Sequence, residues 1–482
     1  MMQRMIMPAA LLLASCGQPQ GSEAPRITEA ERNYGAEQHP RLLAEFGGAY
    51  DHDQAAYVRT VGARVAAAAG LANACTFTLV NSDVVNAFAV PGCYIYVTRG
   101  LFAIVNSEAE LASVLGHEVG HIVGRHAQRQ ERRSLWRTLG VLAAGLTGSE
   151  RLTRLAGQAA QYFTQRYSRG QEYQADALGV RCLQDAGYDV HAAAEMLEAL
   201  GRNEAFRSRA DDRGGAQSLP EWALSHPLTQ HRIDRARQIA SDTGIADNAL
   251  PENEAAYLRA VDGMLFGDDP EQGFVNGRQF AHPIMRIGFE APPGFSLTNS
   301  PQAIRLAGPG GVVGEFGGGR LREGGVVPYA EALAAHIIGQ APATLVGSRK
   351  DVINGLPVAV LNMTIQAQNG TVPLVIAAYD AGGGAAYHFI TLAPEASDGA
   401  AGLDRLFRSF RLLSVDEVAR LRPRVIRTVV VQPQDTPETL ARQVADPAAK
   451  DLFLMLNGLA PAQRPQQGAR VKVVKIAQNI EQ

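Results

Sequence analysis

The sequence predicts an α+β protein in three parts: a mainly helical region with a small sheet, then a region built on a larger antiparallel sheet, then a small strand–helix–helix–strand module. Three observations predict it. Leu111, Val114, Leu115, Val119 and Ile122 recur at helical spacing. From about residue 284 to 414 the pattern changes to short β-branched and aromatic runs broken by turn clusters. Beyond residue 422, two such runs bracket two short helical stretches. At 482 residues with 46% hydrophobic content, the chain can bury two or three globular cores. A net charge of −3 with scattered arginines argues against a nucleic-acid partner.

The N-terminus reads as an export signal. Arg4 precedes an apolar run from Met5 to Leu13, and Leu13-Ala14-Ser15-Cys16 resembles a bacterial lipobox. Residues 1–15 are then a lipoprotein signal peptide, Cys16 the lipidated first residue of the mature chain, and 16–27 a polar tether; a plain signal peptide is the alternative. The implied place is the bacterial cell envelope, lipid-anchored at the periplasmic face of the outer membrane. The longest internal apolar run, Leu139 to Thr147, is too short to cross a bilayer and reads as a buried helix.

Cys75 and Cys93 each open a strand-like run, Cys75 to Val80 and Cys93 to Thr98, and can be bridged if those strands are neighbours. Cys182 lies in a helical stretch and reads as a buried thiol. The next helix opens with Ser107 and Glu110, which fit a capping box. Inside it lies His117-Glu118-Val119-Gly120-His121. Two imidazoles four residues apart share a helical face and can share a metal ion, with Glu118 beside them to take a proton from a metal-held water. The alternative is a core helix whose histidines are satisfied by carbonyls. Gly120 costs about 1 kcal/mol in a helix interior and suggests that something packs closely there.

Two histidines holding zinc need a third protein ligand and an open position. Glu172 and Asp176, again four apart, offer one carboxylate for the metal and one to orient a histidine through its distal nitrogen. The HExxH segment followed by Ser168-Arg169, Glu172 and Ala175-Asp176 resembles the M48 family of zinc metallopeptidases. Asn86-Ala87-Phe88-Ala89-Val90-Pro91-Gly92, Val97-Thr98-Arg99-Gly100-Leu101 and Ser225-His226-Pro227 resemble further segments of that family. The likeness covers about residues 30 to 245 and implies a gluzincin-type metallopeptidase domain over 28–245.

The resemblance implies one Zn2+ per chain held by His117, His121 and Glu172, with Glu118 as general base and then proton donor to the leaving amine. Asp176 stands behind the ligands, and His226 steadies the oxyanion or approaches the metal in a resting state. Asn86, Ala87, Gly92 and Tyr94 are the implied substrate-binding residues. The Cys93-to-Thr98 strand is expected at a sheet edge, where an extended peptide can pair with it through main-chain hydrogen bonds. Cys93 departs from the family, which commonly has a second glycine there. Arg232 and Arg235 could also serve the oxyanion, but they read as solvated helix-surface arginines. His126 and His231 read as residues behind the ligands or at the surface and stay outside the expected site.

Residues 246–280 read as a linker, in which Asp242 to Asp262 is a linker followed by a helix and Gly267-Asp268-Asp269-Pro270 is a turn cluster. Over 281–415, strands are expected at Arg286 to Glu290, Ala303 to Leu306, Val312 to Phe316, Val358 to Gln366, Leu374 to Tyr379 and Tyr387 to Leu392. Helices at Tyr329 to Ile338 and Gly402 to Phe410 are expected on one face of the sheet. This region loosely resembles PsbP-like domains, holds no catalytic constellation, and reads as a binding or docking unit. Residues 422–476 resemble a LysM module, which implies N-acetylglucosamine glycans and hence peptidoglycan as a partner; a degenerate module used for protein contact is the alternative. The whole reads as a zinc metalloendopeptidase acting on extended or unfolded chains, namely misfolded or unassembled envelope proteins. The competing readings are a periplasmic chaperone or assembly factor, and a peptidoglycan-associated binding protein with an incidental metal site.

Overall fold

The computed structural model describes residues 26–129, 152, 167–211, 226–321, 323–367, 370–393 and 402–477. The expected signal peptide, Cys16 and the Leu139-to-Thr147 run lie outside these residues. Helix α1 (Glu29–Glu45) starts at a complete capping box between Thr28 and Glu31, and α2 (Asp53–Ala68) buries Val58, Val61 and Val65 on one face. A three-stranded sheet follows, with β1 (Thr76–Val80), β2 (Ala87–Val90) and β3 (Tyr94–Thr98) in the order β1-β3-β2.

That order corrects the expected edge. Strand β3 pairs parallel with β1 on one side and antiparallel with β2 on the other, so both of its hydrogen-bonding edges are used. Among the described residues, the outer strands are β1 and β2. Cys75 and Cys93 are joined by a disulfide immediately before the paired residues Thr76 and Tyr94. Gly92 and Cys93 both take left-handed backbone, with φ of 96° and 61°. Cys93 thus adopts the conformation that a glycine there would take at no steric cost.

Helix α3 (Arg99–Ile104) leads into α4 (Glu108–Val123), the helix of the paired histidines. Ser107 Oγ accepts from Glu110 N at 3.0 Å, but the Glu110 carboxylate reaches back to Asn106 N rather than closing the expected box on Ser107. Helix α5 (Arg169–Ala186) carries Glu172 and Asp176 and ends at the left-handed Gly187; α6 (Ala192–Asp211) and α7 (Gln230–Asp242) pack beside it. Helices α4 and α5 cross with almost no side chain between them. A Cβ on Gly120 would stand 3.0 Å from Ala175 O, and one on Gly116 3.3 Å from Gly179 Cα. This close approach is what lets carboxylates on α5 reach imidazoles on α4.

The helix expected before Asp262 is α8 (Glu254–Val261), which buries Tyr257, Leu258 and Val261 in the same core as α2 and α4; β4 (Leu265–Phe266) follows it. A small sheet then comprises β5 (Phe274–Asn276), β6 (Gln279–His282) and β7 (Ile287–Glu290). The larger sheet is built from β8 (Ser296–Thr298), β9 (Ile304–Ala307), β10 (Val313–Arg320), β11 (Ala343–Ile353), β12 (Leu356–Ala367), β13 (Gly370–Asp380) and β14 (Ala385–Leu392), with α9 (Val326–Ile338) between β10 and β11. Its order is β11-β12-β13-β14-β10-β9-β8, antiparallel throughout.

Here too one expectation is corrected. Val358 and Val360 face one core with α10 (Leu403–Ser409), while Ala359 and Leu361 face another with α9. Helices therefore cover both faces. A sheet buried on both sides reads as continuous apolar runs instead of alternation, as Val358-Ala359-Val360-Leu361 does.

The chain closes with β15 (Arg411–Leu412), which pairs with β7, and α11 (Val415–Arg420). Then come β16 (Arg424–Val430), α12 (Pro437–Ala441), α13 (Ala449–Leu456) and β17 (Arg470–Ile476), in the expected strand–helix–helix–strand order. This module is not a separate bead. Strand β16 pairs with β17 on one side and β4 on the other, and Phe453, Leu456, Val473 and Val474 enter the core of α2 and α4. Lys472 is fully buried and donates to Ala103 O at 2.9 Å and Val105 O at 2.7 Å, at the C-terminal end of α3. Burial lowers its ammonium to about 7 and raises the neighbouring Glu110 carboxyl to about 7.

Candidate metal centre

Helical phase sets His117 and His121 one turn apart on α4, and the glycine crossing sets Glu172 against them from α5. His117 Nε2 lies 3.0 Å from His121 Nε2 and 3.3 Å from His226 Nδ1, and His226 Nδ1 lies 3.0 Å from Glu172 Oε1. One donor atom from each of these four residues lies within 4.8 Å of the other three, and all four side chains are buried.

The donor chemistry fits a divalent ion. His117 Nδ1 is 2.9 Å from Asp176 Oδ1, so the distal nitrogen carries the proton and Nε2 presents a lone pair. On His121 the distal nitrogen meets His126 Nδ1 at 2.8 Å, and His126 Nε2 meets Gln174 Oε1 at 3.1 Å. Arg129 also donates to that Gln174 oxygen, which fixes it as the acceptor. His126 must then give its Nε2 proton to Gln174 and accept at Nδ1, which leaves His121 protonated at Nδ1. Two imidazole lone pairs therefore face each other across 3.0 Å. Such an arrangement is repulsive unless a cation lies between them.

Burial, reinforced by His117, His226 and His126, holds His121 well below its ordinary value and so keeps it in the neutral ligand form. Burial alone would raise Glu172, yet His226, His117 and Arg232 hold it down as a carboxylate. Asp176 is treated the same way: against burial, the His117 hydrogen bond and the Arg232 guanidinium keep it below its ordinary range. Glu118 differs. Burial raises it to about 7, against the pull of His117, and its Oε1 is buried without a hydrogen-bond partner among the described residues, 3.6 Å from His226 Nε2. The N–H of Ala89 on edge strand β2 bonds to the Glu118 carboxylate, tying that strand to the acid.

Three participants were outside the site expected from sequence. Arg232, read as a surface residue, is 2% exposed and grips Asp176 bidentately, Nε to Oδ2 at 2.9 Å and Nη2 to Oδ1 at 2.7 Å. Its Nη1 also lies 2.7 Å from Glu172 Oε2. The available signal was charge balance: two carboxylates assigned to one buried site call for a cation besides the metal. His126 orients His121, and Tyr167 stacks on the His121 ring with centroids 3.9 Å apart. His231 instead meets Tyr173 in an exposed contact, and Arg235 stacks on the Tyr173 ring.

The substrate-binding set divides. Ala87 and Ala89 lie on β2, and the Asn86 amide beside them is buried with neither end paired among the described residues. Gly92 and Tyr94 sit at the hairpin turn against α1, close to Glu31 and Gly35.

Residues 52–240 match the family model described as Peptidase family M48. A beta-barrel assembly-enhancing protease of Yersinia pestis is 32% identical over 235 residues, 46% of this chain and 46% of that protein. The Escherichia coli protein of the same name is 32% identical over 203 residues, 38% of each. A mitochondrial metalloendopeptidase of Arabidopsis thaliana is 32% identical over 154 residues, 32% of this chain and 29% of that one. The chain spans less than half the length of these curated relatives. The solution structure of a cyanobacterial PsbP from Synechocystis aligns with 29% of this chain and 98% of its own at 12% identity, with a TM-score of 0.24, too low to carry an argument.

Proposed function

From the M48 peptidase domain that this chain carries over residues 52–240, we propose that the protein is a zinc-dependent metalloendopeptidase that cleaves extended segments of misfolded or unassembled envelope proteins. The observation that carries the reading is the buried set of three imidazoles and one carboxylate next to a carboxyl held near neutrality. His117, His121 and Glu172 would hold the ion. Zinc bound there lowers the pKa of water and polarises a carbonyl.

The chain's own residues supply the rest. Glu118, poised near 7, takes a proton from the attacking water and returns it to the leaving amine. The Ala89 N–H fixes the carboxylate in place for both transfers. Asp176 and His126 hold the two ligand imidazoles in their lone-pair-forward tautomers. An extended substrate pairs with the free edge of β2, whose remaining main-chain groups choose conformation over sequence. The envelope location, lipid attachment at Cys16, a PsbP-like docking role for 281–415 and peptidoglycan contact through a LysM-like 422–476 belong to the same reading. The names of the bacterial relatives and the strand–helix–helix–strand order support it.

His226 stands close enough to the other three donors to serve as a fourth ligand, which favours its resting-state role over the oxyanion one. With all four donors bound, zinc held there would have no open position for water, and the resting enzyme would be closed. In a casein-cleavage assay, the wild type is expected to be active, inactive after chelation, and restored by zinc. His226→Ala is expected to cleave several-fold faster than wild type. A fall of about 100-fold in kcat would instead assign His226 to the oxyanion.

A further inference from the structure

A second cluster lies away from the paired histidines. Asp189, Asp247 and Glu252 each present a carboxylate oxygen within 4.8 Å of the others. They come from three segments: the turn after α5, the loop after α7, and the approach to α8. Main-chain bonds lock these segments together. Asp189 N donates to Pro251 O at 3.3 Å, His191 Nε2 lies 3.0 Å from Ile245 O, and Ala109 N, in the first turn of α4, donates to Glu252 O at 3.1 Å.

Asp189 is the independent observation. It is fully buried, its Oδ1 accepts from His191 N at 2.8 Å, and its Oδ2 is buried with no hydrogen-bond partner among the described residues. Among the described residues, none of the three carboxylates has a lysine or arginine in an ion pair. A buried carboxylate oxygen left unpaired beside two further carboxylates is costly unless a cation neutralises it. Nearby Glu195 registers the same excess of negative charge: burial, then Glu252, Glu110, Asp247 and Asp189, raise its carboxyl to about 8.

We propose that Asp189, Asp247 and Glu252 form a binding site for a hard divalent cation, calcium by its donor chemistry, distinct from the zinc centre. The donors are all carboxylate oxygens, with neither imidazole nor thiolate, as calcium prefers and zinc does not. Asp247 is exposed and Glu252 partly so, which leaves room for the waters that complete calcium's larger shell. The ion would tie the α5–α6 corner and the approach to α8 to the N-terminus of α4, and so brace the two helices that carry the zinc ligands from their opposite ends.

The test is calorimetric titration of the full-length protein with calcium chloride, paired with thermal unfolding. One calcium per chain is expected, with a rise in Tm of about 3–5 °C at saturation. His117→Ala should keep this calcium response, because the two sites are separate. Asp247→Asn, at an exposed position that tolerates the change, should weaken calcium binding at least about tenfold, and Asp189→Asn should abolish it. Absence of calcium heat and of any Tm shift in the wild type would overturn the proposal, as would wild-type binding in Asp247→Asn. If Asp189→Asn fails to fold, the Asp247 variant decides alone.

Discussion

Glu118→Gln is expected to lower peptide hydrolysis by about 10³-fold or more while leaving zinc content and unfolding temperature close to wild type. The amide keeps the size and the hydrogen bond to β2 but cannot take or return a proton. Because Glu118 is not in the donor set, the ligands stay whole. The substitution also removes a carboxyl that burial holds near 7, so any stability change should be a small gain. Single-turnover casein cleavage with metal analysis on the same preparation checks both halves. Cleavage within tenfold of wild type would remove Glu118 from the mechanism. Equal unfolded-chain holding by both proteins, with cleavage by neither, would favour the chaperone reading.

Arg232→Met is expected to have the largest structural effect of any single change near the site. The guanidinium is the buried cation that balances Asp176 and Glu172. Removing one member of a buried charged network leaves the others uncompensated, at a cost of about 3–5 kcal/mol. The zinc-free protein should show this loss in urea unfolding. Zinc affinity should also fall by about 10–100-fold, because Asp176 loses the group that fixes its orientation toward His117. Arg232→Lys should not restore either property, since an ammonium cannot make the two parallel bonds to Asp176 and still reach Glu172. A loss of stability below about 1 kcal/mol would show that the pair of carboxylates is neutralised in another way.

How far the sequence could be read depended on how local each signal was. The α4 helix, its paired histidines and the meaning of Gly120 are written in consecutive residues, because helical periodicity and a glycine's cost act over one or two turns. The strands β7, β9, β10, β12, β13 and β14 were legible for the same reason, as short apolar, β-branched and aromatic runs between turn residues. Strand β11 was not. It is the outer strand of its sheet, largely exposed and carrying Arg349-Lys350-Asp351, and an edge strand dressed in charge has no apolar pattern to betray it.

What failed outright was pairing. Nothing in Cys93 to Thr98 says whether one or two neighbours flank it, and the β1 partner is separated from it in sequence by all of β2. The sequence left the roles of Arg232 and His126 open because those roles are tertiary. A surface-like arginine becomes a buried counter-ion only when α7 is laid against α5, and His126 becomes a support only when the chain turns back at Gly124. The integration of the C-terminal module was hidden likewise, since a lysine in a strand gives no hint that its ammonium will be buried on the carbonyl end of α3.

The central claim is that Glu172, on α5, reaches across to α4 to complete a metal-binding set with His117 and His121. Zinc content per chain, measured after exhaustive dialysis on wild type and Glu172→Ala at equal foldedness, tests it directly. The account predicts one zinc in the wild type and less than about a tenth of that in the variant. A Glu172→Ala protein that keeps its full zinc at wild-type affinity would contradict it.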